Sequence, residues 1–197
     1  IMVIRITNQT IHKVNLDIDR RISLFGGYAT CEDADDNTLS IGKSILSGEN
    51  MGAVINVKFL SGDGFSPIVV LNNLIIMNGS NSGVRIDNSD YHSYVVIENS
   101  IVTANTNSSE GGGVYLSGRS GSHGGTPELR IIHSLVVENS SENGGGLFCN
   151  NARVNVTDGS KISNNSASFQ FDYRGHGGGI FATNECDIKV RSERYYN

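Results

Sequence analysis

The chain has 197 residues and a formal net charge of −5, from 15 basic and 20 acidic residues spread along its length. That length allows one domain with a substantial core, and the absence of a basic stripe excludes an electrostatic nucleic-acid surface. No apolar run approaches the ~20 residues of a membrane-spanning helix, and 24 Gly, 2 Pro and no Trp, with abundant Asn and Ser, favour many turns and short strands over a helical bundle.

Residues 1–66 are the less regular part. Val14-Asn15-Leu16-Asp17-Ile18-Asp19 alternates apolar and polar, the pattern of a half-buried strand. Ile22-Ser23-Leu24-Phe25 follows, then a glycine turn at Gly26-Gly27-Tyr28. Cys31 to Asn37 (CEDADDN) reads as an acidic loop. Ile45-Leu46 and Val54-Ile55-Asn56-Val57 are further strand candidates. These are the expected irregular first coils of one domain spanning 1–197, because end repeats are typically atypical.

From residue 67 onward the sequence repeats. Gly111-Gly112-Gly113-Val114-Tyr115 recurs as Gly144-Gly145-Gly146-Leu147-Phe148 and as Gly177-Gly178-Gly179-Ile180-Phe181, 33 residues apart each time. An apolar-x-x-Asn marker precedes each copy, at Val102 to Asn105, Val136 to Asn139 and Ile162 to Asn165. A fourth, Ile75 to Asn78, precedes a reduced copy at Gly83-Val84. Alternating pairs lead the units: Ile68 and Val70, Val95 and Ile97, Leu129 and Ile131, Val154 and Val156, Ile188 and Val190. One extra residue falls near Asp158-Gly159, where a bulge is expected.

Each unit therefore holds three short strands, and stacked units predict a parallel β-helix with rungs ~4.8 Å apart. Asn78, Asn105, Asn139 and Asn165 would form a column whose amides bond the coils above and below. The glycines suit corners where φ is positive or a side chain would clash. Just after them, Val114 or Tyr115, Leu147 or Phe148, and Ile180 or Phe181 are expected to point inward. Cys31, Cys149 and Cys186 are odd in number, which argues against a disulfide framework. They are expected to be small, mostly buried thiols, with a disulfide as the minor reading.

The apolar-x-x-Asn marker followed by Gly-Gly-apolar-apolar resembles the repeats of polymorphic outer-membrane proteins. More broadly it resembles right-handed parallel β-helix proteins of the pectate-lyase-like (pectin lyase-like) superfamily. The resemblance covers roughly residues 67–190. The first marker residue, usually Phe in the polymorphic family, is Ile75, Val102, Val136 and Ile162 here. Leu24-Phe25-Gly26-Gly27-Tyr28 through Ser44-Ile45-Leu46-Ser47-Gly48 is similar to the entry coils of secreted β-helix proteins. The resemblance implies a right-handed stack, a bacterial-surface or extracellular location, and a role as an adhesin stalk or in handling polysaccharide.

Several catalytic motifs fail on their spacing. Gly42-Lys43-Ser44 has the ending of a phosphate-binding loop, but the glycine required five residues earlier is Asn37. Asp33, Asp35 and Asn37 match the start of an EF-hand loop, but Thr38 replaces its glycine and Ser44 its bidentate glutamate. No nucleophile elbow and no zinc-type pairing of His or Cys occurs. The acidic segment, with Glu32, Asp33, Asp35 and Asp36, is the candidate Ca²⁺ site, against the plainer reading of a solvated loop. Two insertions, 117–128 and 166–176, map to outer loops, where binding residues gather. Arg119 and His123 in the first, and Asp172, Tyr173, Arg174 and His176 in the second, are the candidate ligand-binding residues. The alternative is that Phe169 and Phe171 pin the second loop to the stack and the rest is solvated.

The expected function is a structural or interaction module, adhesin-like and carbohydrate-binding, with no catalytic residue assigned. A β-helix polysaccharide lyase or glycoside hydrolase, or a fragment of one, is the alternative. Glycans or a surface partner are the expected ligands; nucleic acid and a transmembrane segment are not expected. The chain opens without a signal peptide and stops at Arg194-Tyr195-Tyr196-Asn197, soon after a strand begins at Ile188. An open last coil predicts homo-oligomers through coil ends and suggests truncation of a longer protein.

Overall fold

Strands of a few residues cannot bury an apolar face alone, so each must be covered by a neighbour. The computed structural model, which describes residues 2–38, 42–58, 68–87, 93–119, 126–168 and 175–191, meets that need with a parallel β-solenoid of about five turns. The first sheet has seven strands, in the order Met2–Thr7, Ile22–Tyr28, Ile68–Asn72, Tyr94–Glu98, Glu128–Ile132, Arg153–Thr157 and Asp187–Val190. The second has six: Ile11–Lys13, Ser44–Ser47, Leu74–Met77, Ile101–Thr103, Leu135–Val137 and Lys161–Ser163. The third also has six: Leu16–Ile18, Ile55–Val57, Val84–Asp87, Val114–Ser117, Leu147–Asn150 and Ile180–Thr183. Three strands per coil is thus the repeating unit. A short fourth ladder, Thr106–Glu110, Ser140–Asn143 and Ser166–Ala167, lies between the second and third sheets along the chain.

The inward residues stack like on like. Val69, Val95, Leu129 and Val154 form one column of the first sheet, and Leu71, Ile97, Ile131 and Val156 another. All eight are at most 3% exposed. Burying each such side chain contributes about 1.5–3 kcal/mol, so the interior columns dominate stability. The expected leading pair of the first clear unit is therefore corrected by one residue. Val69 and Leu71 face inward; Ile68 and Val70 sit on the other face of the pleat. A slip of one residue exchanges the two faces of a strand.

The extra residue near Asp158-Gly159 is present, but in a turn and not as a strand bulge. Residues 158–160 join two strands that residues 133–134 join in the coil before. Asp158 and Gly159 take φ of 53° and 71° there.

The cysteine reading is corrected. Cys149 and Cys186 form a disulfide with Cα atoms 5.9 Å apart, and Cys31 is an exposed free thiol. Cys149 lies on the inner face of the third sheet, and Cys186 lies at the corner before the next strand of the first. Comparing rung positions does not reveal a pair that meets across a corner. The acidic segment is also corrected in form: it is a short helix, α1 (Cys31–Asp35), capped by Thr30.

Candidate functional site

The Asn column exists for three of its four members. The Asn139 side-chain oxygen accepts from the Asn105 backbone N–H at 3.1 Å and from Asn105 Nδ2 at 3.0 Å. Asn165 repeats the pattern beneath Asn139, at 2.9 and 3.0 Å. Asn78 stands outside the column. Val102 pairs with Ile76 and not Ile75, so the partner of Asn105 in that coil is Gly79, whose N–H donates to Asn105 Oδ1 at 2.8 Å. Asn78 instead has φ of 57°, close to Ala104, Glu138 and Asn164 at 52°, 58° and 55°, and its amide donates to Ser47 Oγ.

A second polar column escaped the sequence reading. Ser134 Oγ accepts from the Ser100 N–H at 3.0 Å, and Ser160 Oγ from the Ser134 N–H at 3.1 Å. Each serine lies five residues before a column asparagine, a spacing that could have revealed it. Asn99 and His133, the residues just before Ser100 and Ser134, share a left-handed backbone, with φ of 47° and 46°.

The outer face of the third sheet brings charged and aromatic side chains together. One column runs Asp17, Asn56, Arg85, Tyr115, Phe148, Phe181. Two residues along, Asp87, Ser117, Asn150 and Thr183 form the next. Tyr115 and Phe148 stack at 5.2 Å and 14°, and Phe148 and Phe181 at 6.0 Å. The Arg85 guanidinium lies 3.8 Å above the Tyr115 ring. The sequence left open whether the first or second residue after the glycines points inward; Val114 and Leu147 do, and the rings lie on the opposite side of the sheet, where stacking still leaves Phe148 only 3% exposed. The faces of Tyr115 and Phe148 are therefore taken within the column and are not free to stack on a sugar.

At the polar end of this face lie two hollows, of about 280 and 510 Å³, and Asp17, Asn56 and Lys58 line both. Asn56 Nδ2 donates to Asp17 at 2.8 Å, Arg85 pairs with Asp87 at 3.3 Å, and Arg20 with Asp19 at 2.7 Å. Beside Arg85, burial pushes the Glu110 carboxyl above its usual range; Arg85 opposes the shift and Glu142 adds to it. No protein-family model, curated protein or solved structure matches this chain. The hollows are therefore read from their own chemistry.

None of the described residues singled out by sequence lines the two hollows. Asp172, Tyr173, Arg174 and His123 lie outside the described residues, and Arg119 sits just past the strand Val114–Ser117. His176 is a rung: it bridges to Asn143, and its ring packs 5.8 Å from that of Phe181. In the acidic segment, Asp33 accepts from the Thr30 N–H and hydroxyl in a capping box. Among the described residues no three His, Cys, Asp or Glu side chains converge as metal ligands. None of the described helices is long and apolar enough to cross a membrane.

Proposed function

We propose that this chain is a secreted or cell-surface structural module, adhesin-like and without catalytic activity, whose third sheet presents a carbohydrate-binding face. The observation that carries this reading is the pair of adjoining hollows lined by a carboxylate, an amide and an ammonium from Asp17, Asn56 and Lys58. Sugar hydroxyls both donate and accept, so a mixed lining of this kind suits them. The Cys149–Cys186 disulfide supports an oxidising compartment outside the cytosol. The repeat resemblance to polymorphic outer-membrane and pectate-lyase-like proteins points the same way.

One observation favours the enzymatic alternative. A carboxyl pushed upward by burial next to a second carboxylate, as Glu110 is next to Glu142, is the kind of group a glycosidase uses as general acid. A glycan array, run with product assays on polyuronates and neutral polysaccharides with and without Ca²⁺, separates the two. Binding without turnover is expected. Unsaturated or reducing-end products that vanish in Glu110→Gln would establish the enzyme instead.

A further inference from the structure

The hollow also suggests which class of sugar it takes. Its charges are balanced, but they are not equally available. Asp19 is held by Arg20 at 2.7 Å and Asp87 by Arg85 at 3.3 Å. Arg85 is committed twice, since its guanidinium also lies on Tyr115. That leaves Asp17, which accepts only from Asn56 among the described residues, and Lys58, which has no ion pair among them. Asn56 lies in the strand Ile55–Val57 and Lys58 just past its end, and Asp17 pairs with Asn56 from the coil before. An acceptor and a donor thus line the same hollows, neither with an oppositely charged partner within 4 Å among the described residues. Two further amides are each fixed at one end. Asn15 Nδ2 donates to the Met51 and Ala53 carbonyls, leaving Oδ1 as an acceptor, and Asn81 Oδ1 accepts from Asn107, leaving Nδ2 as a donor.

Building on the carbohydrate reading above, we infer that this hollow binds a neutral saccharide, with neighbouring hydroxyls bridging the Asp17 carboxylate and the Lys58 ammonium. A hydroxyl donates one hydrogen and accepts through two lone pairs, so a vicinal pair satisfies both groups at once. Charge-assisted bonds of this kind are the strong ones. A uronic acid fits worse. Its carboxylate would enter beside Asp17 with Asp19 in one hollow and with Asp87 in the other, and the guanidiniums that could grip it in a fork, Arg20 and Arg85, are already engaged by Asp19 and Asp87. Met51, 67% exposed at the rim of the smaller hollow, offers apolar surface to a sugar's C–H face.

The test is calorimetric titration of the protein with xylo-, cello-, manno- and galacto-hexaose and with hexagalacturonate, at low and high salt. Wild type, Asp17→Asn and Lys58→Gln are compared, each checked for an unchanged melting temperature. At least one neutral hexaose should bind with little salt dependence, and both variants should weaken it by about tenfold, the scale of one lost charge-assisted bond. Tight, salt-sensitive binding of hexagalacturonate that Asp17→Asn strengthens would overturn the inference and leave the carbohydrate reading standing. Binding of none of the five would sink both. The sign of the Asp17→Asn effect decides, because removing a negative charge cannot weaken an anion's binding through repulsion.

Discussion

The Asn139 amide is used from both sides of the stack. Its oxygen takes two N–H groups from the coil of Asn105, and its Nδ2 reaches the carbonyls of Val102 and Val137 at 3.0 Å each. Asn139 is 1% exposed, so no water replaces these bonds when the side chain is cut back. Asn139→Ala should therefore cost about 3 kcal/mol, since it leaves several buried groups without partners. Asn78→Ala, which removes one bond to Ser47 and an asparagine at positive φ, should cost about 1 kcal/mol. Denaturant midpoints of the two variants check the contrast, and equal losses would refute it. The sequence showed these asparagines as equals because Ile75 and Ile76 are both apolar and the marker fits either register. Only the strand pairing separates them, through Val102 against Ile76.

Each glycine triplet does two jobs within one corner. The first glycine of each copy, Gly111, Gly144 and Gly177, has φ of 67°, 64° and 64°. The second and third are needed where the next coil lies close. A Cβ on Gly145 would stand 2.0 Å from the Ser166 carbonyl oxygen, whereas one on Gly179 would meet nothing within 4 Å. Gly145→Ala should thus destabilise by about 3 kcal/mol, the overpacking scale, and Gly179→Ala by less than about 0.5 kcal/mol. Thermal unfolding of the pair checks this; a large loss in both would mean that backbone freedom and not contact sets the cost. The period of these triplets made the strand count and the stacking legible. The outward direction of Tyr115 and Phe148 was not, because both residues after the glycines are apolar. Leu116 and Cys149, buried two residues beyond Val114 and Leu147, fix the alternation.

At the scale of the whole stack, neighbouring coils supply stability to one another, and the candidate site is assembled the same way. Asp17, Asn56 and Arg85 are far apart in sequence and meet only because coils pile in register. The coils of Asp17 and Asn56 lack the glycine triplets, so no repeat in the sequence pointed to this end of the face. The disulfide was hidden for a related reason, since its two cysteines occupy different rung positions. It acts where neighbours are fewest. Ile180 is only partly buried, although its column mates Val114 and Leu147 are fully so. Cys149 and Cys186 are 37 residues apart, and closing such a loop removes about 4 kcal/mol of unfolded-chain entropy on the chain-entropy account. Because a solenoid frays from its ends, reduction, or the Cys149→Ser, Cys186→Ser double variant, should loosen the last coil before the rest. Hydrogen exchange is expected to speed up in residues 180–191 while Val102, Val136 and their strands keep their protection. Uniform loss across all three sheets would instead show that the stack opens as one cooperative unit, with the cross-link serving the whole and not its end.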